Sequence, residues 1–392
     1  VNQSANSNVR HHVRHLFVFL EIFAREGGIQ SYVKDIFQAY RSLAERGGEE
    51  GKPLPWQAEV LLLRDRATAP NPFAPANCFQ FRYLYTPSPW LGRLRLAAAL
   101  LMVLLVNRPQ RVFCGHINLV PLVRLLCQPL GIPYTVLTYG KEVWQPLAPV
   151  YQAGLKQAAS IWTISRYSRD RASVSNQLDS DCIQLLPCVV HGDQFTPGPK
   201  PESLIQRYHL QGARVLMTVA RLWSGDIYKG VDVTLRALPQ IAQVVPEVKY
   251  LVIGRGDAQP RLAQLAQDLG VVDRVVFAGF VPNEELADHY RVADAYIMPS
   301  QEGFGIVYLE AMACGIPVLS GDADGSADPL QDGRLGWQVP HRDPDAVAAA
   351  CTELLAGDDQ RCDGQWLRQE ALAQFGFEAL TRRLEMLMRT EE

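Results

Sequence analysis

The chain lacks several things that would each name a chemistry. It has no Cys-x-x-Cys pair, and its 8 cysteines, at 78, 114, 127, 182, 188, 314, 351 and 362, show no Cys/His ligand spacing. A zinc site is disfavoured on that ground. Cys114, Cys127 and Cys182 sit in apolar, strand-like runs, where Cys acts as a small hydrophobe, and such usage fits a reducing cytoplasm. No Walker sequence and no Gly-x-Ser-x-Gly elbow occur, which argues against a P-loop enzyme and a serine hydrolase. Gly254-Arg255-Gly256 has Gln259 where a nicotinamide fingerprint needs its third glycine. The net charge of -3 argues against a nucleic-acid partner. The start, Val1 to Arg14, is polar and then basic, without the apolar core and cleavage site of a signal peptide. The longest apolar run, Leu96 to Val106, falls short of the about 20 residues that span a bilayer. It reads most simply as a buried helix; its flanking Arg93, Arg95, Arg108 and Arg111 leave open a surface helix dipping into lipid.

What is present is an α/β pattern, twice over. A chain of 392 residues suggests two domains of about 150–200 residues. The halves differ in charge: residues 1–200 carry 21 Lys and Arg against 13 Asp and Glu, residues 201–392 carry 17 against 28. A net +8 first half suits an anionic membrane surface or substrate, or attraction between the domains. Leu16 to Leu20 reads as a buried parallel strand, followed by Gly27-Gly28 and a helix with Ile29, Val33, Ile36, Phe37 and Tyr40 on one face, stopped by Gly47-Gly48. Residues 51–89 read as irregular, apart from a strand at Ala58 to Leu63. Further strands are expected at 112–115, 133–138, 160–165 and 183–186, alternating with helices. Polar residues gather just after strand ends, at His116, Lys141, Glu142, Ser165 and Arg166, the edge where open α/β sheets bind ligands. Cys188 to Gly212 has linker composition, and a second series of strands follows at 215–219, 250–253, 275–278, 295–298 and 317–319. The expected domains are 1–198 and 199–375, with a helix over 376–392, striped by Phe377, Leu380, Leu384, Leu387 and Met388, that packs on a surface or crosses back to the first domain. A cluster of His11, His12 and His15 falls in an expected frayed tail.

The second series is organised around Pro299-Ser300-Gln301-Glu302-Gly303-Phe304-Gly305, which leads through Glu310 to Cys314-Gly315-Ile316-Pro317-Val318. The pattern is strand, Gly-loop, helix, strand. The unpaired N–H groups of such a helix start can receive an anion. A helix starting near Gly305 turns Glu310 away from Glu302, so the two carboxylates can meet different parts of one ligand. Arg221 and Lys229, in the turn after the first strand of this half, suit a diphosphate: one as a planar fork, the other as a point charge. No Asp-x-Asp cluster stands just before the loop, so nothing demands a metal there.

Glu302 and Glu310 inside Glu-Gly-Phe-Gly…Leu-Glu-Ala-Met-Ala-Cys-Gly-Ile-Pro-Val resemble the signature of the retaining glycosyltransferases of family 4, which have the GT-B fold. Arg221-Leu222…Lys229-Gly230, Val252 to Gly256 and Phe277 to Val281 resemble further motifs of that family, as do Gly27-Gly28, Leu186-Pro187 and Phe195 to Gly198, less specifically. The resemblance implies two Rossmann-like doubly wound domains facing a central cleft, and transfer of a hexose from a UDP- or GDP-sugar to a glycan, lipid or small-molecule hydroxyl. By position, Arg221 and Lys229 would hold the diphosphate with the amides of Phe304 and Gly305. Ser300 and Gly303 belong to the same loop. Glu310 would bind the ribose and Glu302 the sugar. Gly254, Arg255, Gly256, Phe280 and Val281 would border the base, and Gly27-Gly28 would close on the diphosphate. No metal and no cofactor are expected, the nucleotide-sugar being a substrate.

Many relatives carry a His-Gly pair where this chain reads Tyr139-Gly140-Lys141-Glu142, so that role is open. His116 could replace it in contacting sugar or acceptor, or be a structural residue; Tyr139, Lys141 and Glu142 are the other acceptor candidates. Same-face transfer can run through a covalent intermediate on Glu302 or by front-face attack, in which the leaving phosphate takes the acceptor proton; the second is favoured. The alternatives are a nucleotide-sugar epimerase and a non-catalytic binding protein on the same fold. The expected location is cytoplasmic, with peripheral placement on the inner face of the membrane.

Overall fold

The protein is described here by a computed structural model covering residues 15–25, 27–46 and 56–390. The tail with His11 and His12 and the Gly47-Gly48 helix stop lie outside the described residues. The chain divides into two compact units. One runs to Ile164 and takes in Ser168–Leu186 and the chain from Leu380; the other is Ser165–Tyr167 and Pro187–Ala379.

The first unit runs β1 (His15–Phe19), α1 (Gly28–Arg46), β2 (Ala58–Leu62), β3 (Phe79–Tyr83), α2 (Pro89–Val106), β4 (Arg111–Cys114) and α3 (Val120–Cys127), then β5 (Tyr134–Leu137), α4 (Pro149–Lys156), β6 (Ser160–Thr163), α5 (Arg166–Asn176) and β7 (Ile183–Leu185). The second runs α6 (Glu202–Arg207), β8 (Arg214–Val219), α7 (Val231–Val244), β9 (Val248–Ile253), α8 (Gln259–Asp268), β10 (Val275–Gly279), α9 (Asn283–Val292) and β11 (Ala295–Met298), then α10 (Ile306–Ala313), β12 (Val318–Gly321), β13 (Trp337–Val339), α11 (Pro344–Ala356), α12 (Gly364–Phe375) and the start of α13 (Phe377–Thr390).

Both sheets are parallel throughout, in the orders β3-β2-β1-β4-β5-β6-β7 and β10-β9-β8-β11-β12-β13. Strands covered by helices on both faces must be apolar along their length, and β1, β2, β4, β5 and β11 are buried at every residue. The first core is aromatic on one face, where Phe17 stacks on Phe113 at 4.7 Å and meets Phe37 edge-on at 5.4 Å. The second is aliphatic, built on Leu216, Leu235, Ile241, Val252 and Leu354. In each sheet the strand order reverses once, between β1 and β4 and between β8 and β11. Loops leaving those carboxyl ends diverge and open a crevice.

Two expectations are corrected. The stretch 51–89 is not irregular beyond its one strand: Phe79-Gln80-Phe81-Arg82-Tyr83 pairs with β2 along its whole length. Its inward rings join the cluster around Phe37, while its other side is open, as an edge strand allows. The run Leu96–Val106 is not simply buried. Its helix begins at Pro89, with Leu96, Leu100, Val103 and Leu104 in the core and Leu101, Met102, Leu105 and Val106 exposed. By length and composition α2 could cross a membrane, although its inner face packs in the fold.

Candidate active site

The second unit's crevice is made by the loops after β8 and β11. After β8 the chain passes Arg221 and a short helical turn to Gly230, which caps α7 in the left-handed region (φ +76°). A Cβ at Gly230 would fall 2.4 Å from the carbonyl oxygen of Pro299, so only glycine lets the two loops touch. They are joined further: Gln301 N donates to the carbonyl of Tyr228 at 3.0 Å, and Lys229 Nζ pairs directly with the Glu302 carboxylate. Arg221 pairs with Asp226 at 3.0 Å and lies over the Trp223 ring.

The β11 loop is held from below by a residue the sequence reading missed. Asp324, after β12, is buried and accepts from the backbone N–H of Glu302 and from Ser326 N at 2.8 Å. Gly325 N returns a bond to the Glu302 carbonyl at 2.8 Å. Burial pushes the Asp324 carboxyl up to about 6. Asp322-Ala323-Asp324 does have Asp-x-Asp spacing, but Asp324 is taken up in shaping the loop. The available signal was an Asp-Gly-Ser turn following the neighbouring strand on the same sheet edge. Arg342 was also missed: it donates to Asp232 in the first turn of α7, 3.1 Å from Nη1, and to Ile227 O at 3.4 Å, clamping the Lys229 turn.

Gly305 caps α10, and Glu310 lies more than a turn further on, half-buried, accepting from the Tyr290 hydroxyl at 2.7 Å. Loss of hydration raises its carboxyl to about 7, against the lowering effect of that bond. Ser300, placed by sequence among the donor contacts, is buried beneath the loop with its hydroxyl 3.0 Å from that of Tyr308. The Phe304 ring is buried against Phe375, while Gly303 is half-buried. On the other side of β8, Gly254 (φ +132°) passes so close to Ala220 that a Cβ would lie 1.8 Å from its carbonyl oxygen. Beyond it Gly256 follows, and the Arg255 guanidinium lies 4.9 Å from the centre of the exposed Phe280 ring, with Val281 half-buried behind. Lys229 and Glu302 are thus brought together, with Arg221 on the loop after β8 and Glu310 on the helix after the β11 loop, while the 254–256 and 280–281 turns follow the neighbouring strands β9 and β10. Among the described residues no group of three or more His, Cys, Asp or Glu side chains is placed to share a cation.

The first unit's candidates are placed differently. Gly27 and Gly28 open α1 and are exposed. His116 follows β4; its Nδ1 accepts from Asn118 N at 3.0 Å, which leaves the ring proton of the neutral form on Nε2. Burial first, then the charge of Arg64, lowers its pKa. Tyr139 is spent on the fold: its hydroxyl donates to Gly115 O at 2.8 Å and its ring meets Tyr32. Glu142 accepts from the Tyr139 amide and its pKa is raised by burial; Lys141 is exposed.

The profile of the glycosyl transferases group 1 matches residues 213–357, which include the whole crevice of the second unit. The GDP-mannose-dependent alpha-(1-6)-phosphatidylinositol monomannoside mannosyltransferase of Mycolicibacterium smegmatis is 36% identical over 232 residues, 56% of this chain and 60% of that enzyme. Its namesake in Mycobacterium tuberculosis strain H37Rv is 33% identical over 270 residues, 65% of this chain and 69% of the enzyme. Among solved structures, Anabaena HepE in complex with UDP superposes with a TM-score of 0.75 at 18% identity, covering 96% of this chain and 100% of that one. WaaG, a glycosyltransferase of lipopolysaccharide biosynthesis, superposes with a TM-score of 0.62 at 17% identity, covering 95% and 99%. The fold is that of the GT-B glycosyltransferases, and with a relative of 33% identity matched over 69% of its length, the chain belongs to the group 1 glycosyl transferases as a family 4-type glycosyltransferase.

Proposed function

We propose that the enzyme is a retaining, metal-independent hexosyltransferase that uses a UDP- or GDP-sugar and delivers the sugar to a glycan or lipid hydroxyl. The observation that carries this reading is the direct pairing of Lys229 with Glu302 between the β8 and β11 loops. A cation for phosphate and a carboxylate for sugar hydroxyls stand side by side where the two ends of a nucleotide-sugar's reacting bond would meet.

In this reading Lys229 and Arg221 bind the diphosphate and disperse the charge it gains on leaving, work that elsewhere falls to a metal. Glu310 accepts from the ribose hydroxyls. Glu302 holds the sugar, and its contact with Lys229 links sugar position to phosphate position. The glycosidic C–O bond breaks toward the diphosphate, the acceptor oxygen bonds the same carbon on the same face, and the acceptor proton passes to the departing phosphate oxygen. GDP-mannose is the first donor to test, because relatives of 33–36% identity are named for it. The reading includes a cytoplasmic enzyme resting on the inner membrane face.

The test is incubation with GDP-mannose or UDP-glucose, a lipid extract and a chelator. Acceptor-dependent release of nucleoside diphosphate, with retained anomeric configuration by NMR, is expected. An isomerised donor, or no release with either donor, would overturn it.

A further inference from the structure

The tripeptide Ser165–Tyr167, at the junction of β6 and α5, belongs to the second unit, although the chain on either side of it belongs to the first. Two acidic residues on the chain that follows β12 hold it there. The Arg166 amide donates to the Asp328 carboxylate at 2.7 Å, and its Nε pairs with the same group. Nη1 and Nη2 donate to the two oxygens of Asp332 at 3.0 and 2.8 Å. All three guanidinium nitrogens are thus engaged, a match that needs the planar fork of arginine. Asp332 sits at φ +55°, uncommon for a residue with a Cβ, and its amide donates to Ala327 O at 2.9 Å.

This anchorage places Ser165. Its side chain is buried, and its hydroxyl donates to the carbonyl of Gly303 at 2.6 Å. The preceding carbonyl of the β11 loop, that of Glu302, accepts from Gly325 N at 2.8 Å. Gly325 also packs against the Gly303–Phe304 peptide: a Cβ there would fall 2.0 Å from Gly303 O and 2.9 Å from Phe304 N. Two successive carbonyls of the loop are therefore held by the fold. In a trans peptide the N–H points opposite to the C=O of the same plane. Holding those oxygens aims the N–H groups of Gly303 and Phe304 away from their holders. Neither N–H meets an acceptor among the described residues, and Phe304 is only 2% exposed. A buried N–H without a partner is rare, so this one calls for an acceptor from outside the chain. Gly305 follows directly and caps α10, whose first N–H groups also lack helical partners.

We propose that Ser165 is a positioning residue for the donor: its hydroxyl sets the Gly303–Phe304 peptide so that the Phe304 N–H meets the donor's distal phosphate, and Arg166 sets Ser165. This deepens the glycosyltransferase reading above and rests on it. The distal phosphate keeps the electron pair of the breaking glycosidic C–O bond, so an N–H aimed at it binds more tightly as the bond breaks. Ser165 acts through the loop and does not touch the donor.

The experiment is calorimetric titration of the full chain with GDP and GMP, and with UDP and UMP. The wild type, Ser165→Ala, Arg166→Ala and the double variant are compared, and steady-state kinetics follow with the sugar nucleotide of the base that binds. The wild type should prefer the diphosphate to the monophosphate. Ser165→Ala should weaken diphosphate binding about tenfold, as loss of one hydrogen bond to a charged group does, and leave monophosphate binding as it was. Arg166→Ala should show the same selective loss with a lower melting temperature. The double variant should lose no more of the preference than Ser165→Ala alone, because the arginine acts through the serine. In Ser165→Ala, kcat should fall by a larger factor than the donor KM rises. A fold that is merely loosened would weaken both nucleotides alike. An unchanged diphosphate preference in Ser165→Ala, equal weakening of both nucleotides, or additive losses in the double variant would each overturn the inference while the donor reading stands. A wild type that binds neither nucleotide, or binds both equally, would overturn the donor reading and the inference with it.

Discussion

The two sheets share one strand order through their first six strands, yet their crevices are built from different chemistry. At the β8/β11 crevice, opposite charges meet: Lys229 with Glu302 between the two loops, Arg221 with Asp226 within the first of them, and Arg342 with Asp232 at the start of α7. At the β1/β4 crevice the polar groups are largely spent on backbone. His116 accepts from Asn118, Tyr139 donates to Gly115, and Asp65 gathers three amides. Topology therefore decides where a ligand can sit, and the side chains decide which ligand sits there. In the proposed division the second crevice binds and activates the donor, and the first receives the acceptor.

The sharpest way to break this comparison is Lys229→Ala. It should lower kcat/KM by roughly 10²–10³-fold, as loss of one preorganised donor to a developing anion does. A steady-state assay showing a change of less than a few fold would remove Lys229 from the chemistry. Next comes Asp324→Ala, which strips the buried acceptor from Glu302 N and Ser326 N. Orphaned buried donors cost about 1–3 kcal/mol. The melting temperature should drop by several degrees and the donor KM should rise, whereas Asp65→Ala in the first unit should cost similar stability and leave the donor KM alone.

A smaller effect concerns pH. In the proposed reading Glu310 accepts ribose hydroxyls, which it does best as a carboxylate, and burial raises its pKa to about 7. The competent fraction therefore rises from about a tenth at pH 6 to about nine tenths at pH 8, and apparent donor Kd should fall roughly tenfold over that range. Calorimetry with Glu310→Gln should give a flat profile. For stability the sign is opposite: a carboxyl raised above its ordinary 4.5 favours the fold at low pH, and that contribution is lost as pH climbs through about 7. The smallest effect is expected for His116→Ala, a rise of a few fold in acceptor KM with donor Kd unchanged.

Much of this architecture is legible in the residues. Buried parallel strands are continuous apolar runs, so β1, β8 and β11 stand out, and the glycines and charges after them mark the ligand edge. What escapes is what depends on the partner strand or on packing across loops. β3 is an edge strand framed by prolines, with Phe79 alone fully buried, and β13 has only three residues. The outer stripe of α2 hides inside a run that is apolar all round, because hydropathy alone does not separate a face in the core from a face outside it. Asp324, Tyr290 and Arg342 act through residues 22, 20 and 110 positions away, distances no local pattern encodes.

The most direct test of the division between the two crevices is donor binding, measured calorimetrically with GDP-mannose and UDP-glucose on the wild type, Lys229→Ala and His116→Ala. Binding of one donor to the wild type, weakened at least tenfold in the lysine variant and untouched in the histidine variant, is the expected result. Equal weakening in both variants, or loss in the histidine variant alone, would contradict it.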